Sequence, residues 1–306
     1  MLILGNDVGE LKSLDLYNQH KKVGVTLEDL ASIDTSSINN LKCNKENKIF
    51  YGSSNGIIGL INKKTKKMIK NKNFNFEEMT TFHNFENGSV IAFYSDYIRL
   101  WKNFNGICFL PEKKLICKKK FKYVFVDKKE QFFLSASFYG NEIFLWNILE
   151  NKIFFVGKNE LKELIVSFNG NRGEKFTIGT HTGSVYIYSI YGEMIRSLKK
   201  NLDQKSEKSD VQTSAAWQEE TVLFSGKSSG KIEIFDLRCN KNISNIKGHS
   251  CEILNLDIST KTTGFSSFFL ASSDRKGMLK LWDTRKLNEV FFQKKYNTKI
   301  TSLIFV

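Results

Sequence analysis

The sequence predicts an all-β fold made of seven repeats of one small β-sheet unit. A short alternating segment that ends in an aromatic or apolar residue and a polar one recurs seven times, about 40 to 47 residues apart. Each copy follows an apolar strand and a tight turn containing Gly, Asn or Asp, which is the pattern of half-buried strands joined by short hairpins. No long stretch has a helical period. These observations indicate a β repeat protein.

Each repeat is identified by its alternating strand and by the apolar strand before it. In chain order the alternating strands are ELKSLDL from Glu10, GIIGLIN from Gly56, YIRLWK from Tyr97, EIFLWN from Glu142, SVYIYS from Ser184, KIEIFD from Lys231 and MLKLWD from Met278. The apolar strands before the last six are KIFYGSS, SVIAFYS, QFFLSAS, KFTIGTH, TVLFSGK and FFLASSD. Because no Pro/Ser-rich linker interrupts them, we expect a single domain covering residues 1–306.

The two ends of the chain supply complementary strands. The chain opens on LILGN, which is typical of the second strand of a unit, and continues with the third strand ELKSLDL. It closes on KITSLIFV, which is typical of a first strand. We therefore expect the C-terminal strand to pair with the N-terminal strands in one sheet, which leaves only short, protected edges.

The last repeat, GHSCEILNLDIS…FFLASSDRKGMLKLWDTRK, carries two characteristic dipeptides, Gly248-His249 and Trp282-Asp283. In these residues it resembles the WD40 family, which has GH and WD dipeptides at the same places. The resemblance covers nearly the whole chain and implies a seven-bladed WD40 β-propeller. Other repeats replace the WD dipeptide by Phe235-Asp236, Trp101-Lys102, Trp146-Asn147 and Tyr188-Ser189.

The resemblance also implies a structural role for four polar residues. In the WD40 family a His, a strand Ser or Thr, a turn Asp and the Trp are hydrogen-bonded within a blade. The matching residues here are His249, Ser272, Asp274 and Trp282. We therefore expect His249 to be a structural residue rather than a catalyst or a metal ligand.

No catalytic constellation is present, so we expect a non-enzymatic protein with no cofactor and no small-molecule substrate. Gly226-Lys227-Ser228 looks like the end of a phosphate-binding loop, but that motif needs a glycine at position 221, which is Thr221. A strand, KIEIFD, follows instead of a helix, so GKSSG is interpreted as a hairpin turn. The five cysteines contain no C-x-x-C pair and the four histidines are scattered, so no metal site is expected.

The ends and the hydropathy of the chain predict a protein that is not secreted and has no membrane partner. The segment MLILGNDVGE has too few apolar residues for a signal peptide. No apolar run approaches the length of a membrane span. We expect a nuclear, nucleolar or otherwise cytoplasmic protein with reduced thiols.

The net charge of +14 indicates an acidic partner such as nucleic acid. A second explanation is compositional, because 40 of the 46 basic residues are Lys and six are Arg. An excess of Lys, Asn, Ile and Phe is typical of an A/T-rich genome, and Lys lacks the planar fork that Arg offers to phosphate. Both explanations stay open at the level of the sequence.

Two lysine-rich segments are the candidate contacts for RNA or protein partners. In EKKLICKKKFKY the lysines flank Phe121 and Tyr123, and basic residues mixed with aromatics can hold phosphates and stack bases. The alternative is that the two aromatics face the core of a blade. The candidate lysines are Lys118, Lys119, Lys120 and Lys122 in that segment and Lys63, Lys64, Lys66 and Lys67 in NKKTKKMIKNK.

Two successive repeats end in D-x-R, as Asp236-Leu237-Arg238 and Asp283-Thr284-Arg285. In this feature the chain resembles WD40 substrate receptors of cullin-4 ubiquitin ligases, in which the Arg docks on the adaptor. The resemblance makes Arg238 and Arg285 candidate partner contacts. Phe235 replaces the Trp of the first of these two repeats.

Four segments, in the same order along the chain, resemble nucleolar WD-repeat factors of large ribosomal subunit assembly, the WD repeat-containing protein 74 type. They are GNDVGELKSLDL, RLWKNFNG, NEIFLWNILENKIFFVGKN and QKKYNTKITSLIF. This resemblance implies a scaffold in a larger protein assembly, bound to pre-ribosomal RNA.

A further alternative is a histone-binding chromatin protein, because IEIFDLRCNKNISNIKGHSCEILNLDIS resembles late blades of that group. Such proteins use an N-terminal helix and an acidic patch to hold basic histone segments. This chain starts on a predicted strand and is basic, so charge complementarity favours RNA over histones.

Overall fold

A computed structural model provides the structure of the protein. It describes residues 1–19, 22–33, 36–43, 48–62, 65, 67–70, 79–85, 89–94, 97–101, 113–116, 121–126, 132–137, 142–147, 152–158, 163–170, 175–198, 210–239, 241–259 and 268–306. Every regular element in these ranges is a β-strand. None of the residues so described forms a helix that is long and apolar enough to cross a membrane.

The strands form seven four-stranded antiparallel sheets in the described part of the chain, as the sequence predicts. The chain divides into two compact units, Met1–Lys118 with Asp257–Val306, and Lys119–Leu256. No observation tests the expected single domain, and it stays a prediction.

The first unit contains three complete sheets and most of a fourth. Strands β1 (Leu2–Asn6), β2 (Glu10–Gln19), β3 (Lys22–Ser32) and β28 (Ile300–Phe305) form one sheet; β4 (Ile38–Cys43), β5 (Lys48–Ser53), β6 (Ile58–Asn62) and β7 (Met68–Lys70) the next; and β8 (Met79–Asn84), β9 (Val90–Tyr94), β10 (Tyr97–Trp101) and β11 (Lys113–Ile116) the third. The last sheet of the chain consists of β24 (Ile253–Ile258), β25 (Phe269–Asp274), β26 (Met278–Asp283) and β27 (Val290–Lys295). The boundary between the two units falls within β24.

The second unit contains the other three sheets. They are β12 (Phe121–Val126), β13 (Phe132–Ser137), β14 (Glu142–Asn147) and β15 (Lys152–Lys158); β16 (Ile165–Gly170), β17 (Lys175–Thr180), β18 (Val185–Ser189) and β19 (Met194–Leu198); and β20 (Gln212–Gln218), β21 (Val222–Lys227), β22 (Lys231–Asp236) and β23 (Lys241–Lys247).

The first sheet is closed by the last strand of the chain, as predicted. Strand β28 pairs antiparallel with β1, with Leu2 opposite Phe305 and Leu4 opposite Leu303. The backbone N–H of Asp7 donates to the carbonyl of Lys299 at 3.0 Å and extends the pairing past the strand end. The C-terminal strand therefore completes the sheet that the N-terminal strands begin.

Strand β1 is buried on both faces because the sheets stack against one another. Leu2 and Leu4 pack into a cluster with residues of β25 and β26, whereas Ile3 packs into a different cluster with residues of β4 and β5. Neighbouring side chains in a strand point to opposite faces, so both parities of a strand between two sheets must be apolar. The uninterrupted run Met1-Leu2-Ile3-Leu4 satisfies this requirement.

Candidate interaction surfaces

The four residues implied to form a blade hydrogen-bond network lie at buried positions. The indole Nε1 of Trp282 donates to the hydroxyl of Ser272 at 2.9 Å, and both side chains are buried. Asp274 closes the turn between β25 and β26, where its carboxylate accepts the backbone N–H groups of Lys276 and Met278, each at 2.9 Å. His249 is buried, and its backbone N–H donates to the carbonyl of Gly230 at 2.8 Å. Trp282 and Ser272 are thus joined directly.

The GKSSG segment is a hairpin turn between β21 and β22, as predicted. Lys227 ends β21 with only 4% of its side chain exposed, and its Nζ lies 2.9 Å from Oε2 of Glu233 on β22. Gly230 has a φ of 86°, a left-handed conformation that favours glycine. A lysine that is buried and ion-paired within a sheet is not placed to contact a nucleotide phosphate. The pairing of Glu233 with this lysine was not recognised from the sequence.

The first D-x-R turn holds its arginine against its own aspartate. The side chain of Arg238 donates from Nε to both carboxylate oxygens of Asp236, at 3.0 and 3.1 Å, and from Nη2 to Oδ2 at 2.6 Å. These hydrogen bonds lower the pKa of Asp236 to about 2. The side chain of Arg238 is 69% exposed, so the turn presents a cation to solvent in a fixed orientation.

The second D-x-R turn has the same geometry. Arg285 donates from Nε to Oδ1 of Asp283 at 2.9 Å and from Nη2 to Oδ2 at 2.6 Å, and these bonds lower the pKa of Asp283. The guanidinium also lies 4.4 Å above the ring of Phe268. An aromatic platform therefore supports the second arginine, in addition to its aspartate.

An apolar surface adjoins the first D-x-R turn within the second unit. Tyr191, Met194 and Ile195, at the turn between β18 and β19, are 61%, 55% and 45% exposed. On the same strand, the positive charge of Arg196 contributes to the low pKa of Asp236, which places the two turns near each other. This mixture of exposed apolar groups and arginines is a candidate protein-binding surface.

The structure places few of the predicted lysine contacts. Lys67 is exposed just before β7, and Lys122 lies in β12. The residues Lys63, Lys64, Lys66, Lys118, Lys119 and Lys120 lie outside the described ranges.

A third concentration of positive charge was not recognised from the sequence. Residues 275–299 contain eight basic and only two acidic residues, a net +6 of the chain's +14. We call this group the basic edge, because β27 is the outer strand of the last sheet. Its members are Arg275, Lys276, Lys280, Arg285, Lys286, Lys294, Lys295 and Lys299.

The basic edge was missed because its residues form no run in the sequence. Strand pairing brings Lys280 and Lys295 near each other. In the β26–β27 ladder Met278 lies opposite Lys295, and Lys280 lies opposite Gln293, two residues before Lys295. The Nζ of Lys295 donates to the backbone carbonyl of Lys276.

The titratable groups of the described residues do not converge on a metal-binding cluster. No group of three or more His, Cys, Asp or Glu side chains within those ranges is arranged to hold a metal ion. The described cysteines Cys43, Cys239 and Cys251 are not in disulfide bonds.

Comparison with known proteins gives the fold and no closer relationship. No protein-family model matches the sequence, and no curated protein matches it. Many solved structures are similar in fold. One is the crystal structure of Chaetomium thermophilum Raptor, with a TM-score of 0.68 and 14% sequence identity over 85% of this chain.

This chain covers 24% of the length of that Raptor chain. At such low identity the likeness carries the fold alone. Together with the seven four-stranded sheets and the closing strand β28, it confirms the predicted β-propeller fold.

Proposed function

We propose that this protein is a non-catalytic scaffold that binds RNA and protein partners in a larger assembly, and that the assembly is the maturing large ribosomal subunit. The observation that carries the proposal is the concentration of positive charge on an outer sheet edge of a β-propeller. Exposed basic groups on one surface attract a polyanion.

The burial pattern supports partner binding at turns and sheet edges. Strands such as β5, β9 and β25 are buried along almost their whole length, so their side chains are committed to the core. Exposed side chains of the described residues lie at turns and on outer strands such as β19 and β27. We therefore expect the residues that contact partners to lie at turns and on outer strands.

The ribosomal part of the proposal is supported by the four ordered segments that resemble large-subunit assembly factors. It implies a nucleolar location and an association with pre-ribosomal RNA. Because phosphate contacts release counterions, binding to that RNA is expected to weaken with salt.

Affinity purification from the cells in which the protein occurs tests this function. The tagged protein is recovered at 100 and at 400 mM salt, with untagged cells as the control, and the associated RNA and proteins are identified. We expect large-subunit precursor RNA and assembly factors, with less RNA at the higher salt. Recovery of protein partners without that RNA at either salt contradicts the ribosomal proposal.

A second candidate function, substrate receptor of a cullin-4 ligase, is supported by the equal Asp–Arg geometry of the two D-x-R turns. It predicts that Arg238→Ala together with Arg285→Ala abolishes co-purification of the ligase adaptor. Arg275→Ala, which removes an exposed arginine from a different kind of turn, is the matched control. Absence of the adaptor from the wild-type purification contradicts this candidate.

A further inference from the structure

We propose that the basic edge binds single-stranded RNA through its phosphate backbone, with Phe291 as a base-stacking platform. This inference rests on the proposed RNA-binding function and assigns it to a surface that differs from the two lysine-rich segments singled out in the sequence. The occupant is identified by charge complementarity, because the surface is strongly cationic and carries exposed aromatic area.

The basic edge has cations at both ends of an outer hairpin. Arg275 and Lys276 are exposed in the turn that precedes β26, and Lys295, at the end of β27, reaches the carbonyl of Lys276. Arg285 and Lys286 are exposed in the turn that follows β26. Strand β26 has six residues, so the two turns are about 20 Å apart at ~3.3 Å per residue. A flexible polyanion can span that distance.

The middle of the hairpin continues the positive charge. On the β26–β27 ladder Lys280 lies opposite Gln293, next to the pair formed by Met278 and Lys295. Along β27 the side chains of Phe291, Gln293 and Lys295 are exposed, and a register shift opposite Trp282 places Phe291 at a bulge of the strand. A lysine, an amide and an aromatic ring are thus exposed along the outer strand.

The aromatic groups lie at the end of the hairpin that carries Arg285. Phe291 is 37% exposed, and its ring contacts Phe269 with the two centroids 5.2 Å apart. The neighbouring Phe268 lies under the guanidinium of Arg285. Fixed aromatic rings beside cations are the combination that binds single strands without reading their sequence.

Of the acidic groups near the basic edge, Asp283 and Asp274 are engaged, and Glu289 is exposed in the turn before β27. Asp283 accepts both hydrogen bonds from Arg285, and Asp274 accepts backbone N–H groups in its turn. On the neighbouring strand β3, Asp29 is 3.4 Å from Lys12 and its charge faces Tyr296. We therefore assign the RNA to the exposed side chains of the outer strand, Phe291, Gln293 and Lys295, since Asp29 acts at the Tyr296 side.

The test compares two pairs of lysine substitutions in the full-length protein. Lys286→Gln with Lys295→Gln removes two charges from the basic edge. The control, Lys231→Gln with Lys247→Gln, removes two exposed charges from the preceding sheet. Lys231 and Lys247 are paired across β22 and β23, at the position that Met278 and Lys295 occupy in the last sheet. Binding of a fluorescent 20-nucleotide RNA of mixed sequence is titrated between 50 and 200 mM salt, and melting temperatures verify folding.

For a single strand, loss of two phosphate contacts reduces the steepness of the plot of log affinity against log salt concentration by about 1.4. We therefore expect the affinity of the wild type and of the Lys231/Lys247 control to fall about sevenfold more over this range than that of the Lys286/Lys295 variant. Equal slopes in all three proteins overturn the basic edge as the site and leave RNA binding itself intact. No binding of RNA by the folded wild type overturns the proposed function as well.

A third variant separates RNA from other polyanions. Phe291→Leu keeps the charge and most of the apolar volume but removes the aromatic face. We expect a fivefold or greater loss of RNA affinity and no change in binding to polyglutamate, which has charge but no bases. Equal losses for both ligands, or tighter binding of polyglutamate than of RNA by the wild type, identify an acidic protein as the occupant and overturn the proposal.

Discussion

Arg238 is fixed by both carboxylate oxygens of Asp236, which stands two residues earlier in the same turn, and Asp236 is almost fully buried beneath it. The arginine lowers the pKa of Asp236 from 3.8 to about 2. A carboxyl whose pKa is lower in the folded protein stabilises the fold above its unfolded pKa, and this contribution disappears as the pH falls through the folded pKa.

Asp236→Asn is therefore expected to lower the melting temperature at pH 6 and to have a smaller effect at pH 3. Between about pH 4 and pH 2 the wild-type carboxyl is protonated and loses its advantage over the amide. Thermal unfolding of both proteins from pH 3 to pH 7 measures the difference. A constant difference in melting temperature over this range contradicts the ion-pair explanation.

Closure by β28 predicts a large cost for loss of a buried side chain in that strand. Phe305 is 4% exposed, packs in the cluster that joins the first and last sheets, and lies opposite Leu2. Phe305→Ala is expected to cost about 3–5 kcal/mol of unfolding free energy, measured by urea denaturation. Phe291→Ala, at a far more exposed position, is the matched control and is expected to cost about 1 kcal/mol. Equal costs contradict the role of β28 in closure.

The hydrogen bond between Trp282 and Ser272 predicts coupling between the two side chains. Ser272→Ala leaves a buried indole N–H without this acceptor, at a cost of about 1–3 kcal/mol. In the Trp282→Phe background the donor is gone, so the same substitution is expected to cost clearly less. A double-mutant cycle by chemical denaturation measures the coupling, and additive effects would falsify it.

The ion pair of the buried Lys227 with the partly exposed Glu233 predicts an asymmetry between single and double substitutions. Glu233→Gln leaves the lysine charge buried without its carboxylate, and a cost of about 3 kcal/mol is expected. Lys227→Met with Glu233→Leu removes both charges and is expected to recover most of that loss. Urea denaturation of the two variants and of the wild type checks this order. A double variant less stable than Glu233→Gln contradicts this prediction, because the ion pair then stabilises the fold by more than the desolvation of its charges costs.

The all-β fold, the seven repeats and the closing strand could be predicted because each is encoded locally. Alternating strands such as KIEIFD and turns such as the one at Gly230 specify strands and hairpins, and the first-strand pattern of KITSLIFV specifies the partner of LILGN. The D-x-R turns were also recognised as short motifs. The hydrogen bonds of their arginines to the aspartates of the same turns were not recognised, because a motif does not specify side-chain rotamers.

The basic edge and the buried lysine could not be read from the sequence because both depend on strand register. Lys227 resembles a surface residue until β22 brings Glu233 opposite that end of β21. Lys280 and Lys295 are fifteen positions apart in the chain but lie close across the β26–β27 ladder. Register determines which charges share a face, and it depends on the packing of whole sheets.

Direct contact between this propeller and pre-ribosomal RNA is measured by ultraviolet crosslinking in living cells, followed by sequencing of the attached RNA. We expect crosslinks concentrated on large-subunit precursor RNA, and fewer of them in the Lys286→Gln/Lys295→Gln variant than in the wild type at equal protein levels. Crosslinked RNA at the level of an untagged control, in cells where the protein is folded and abundant, would contradict it.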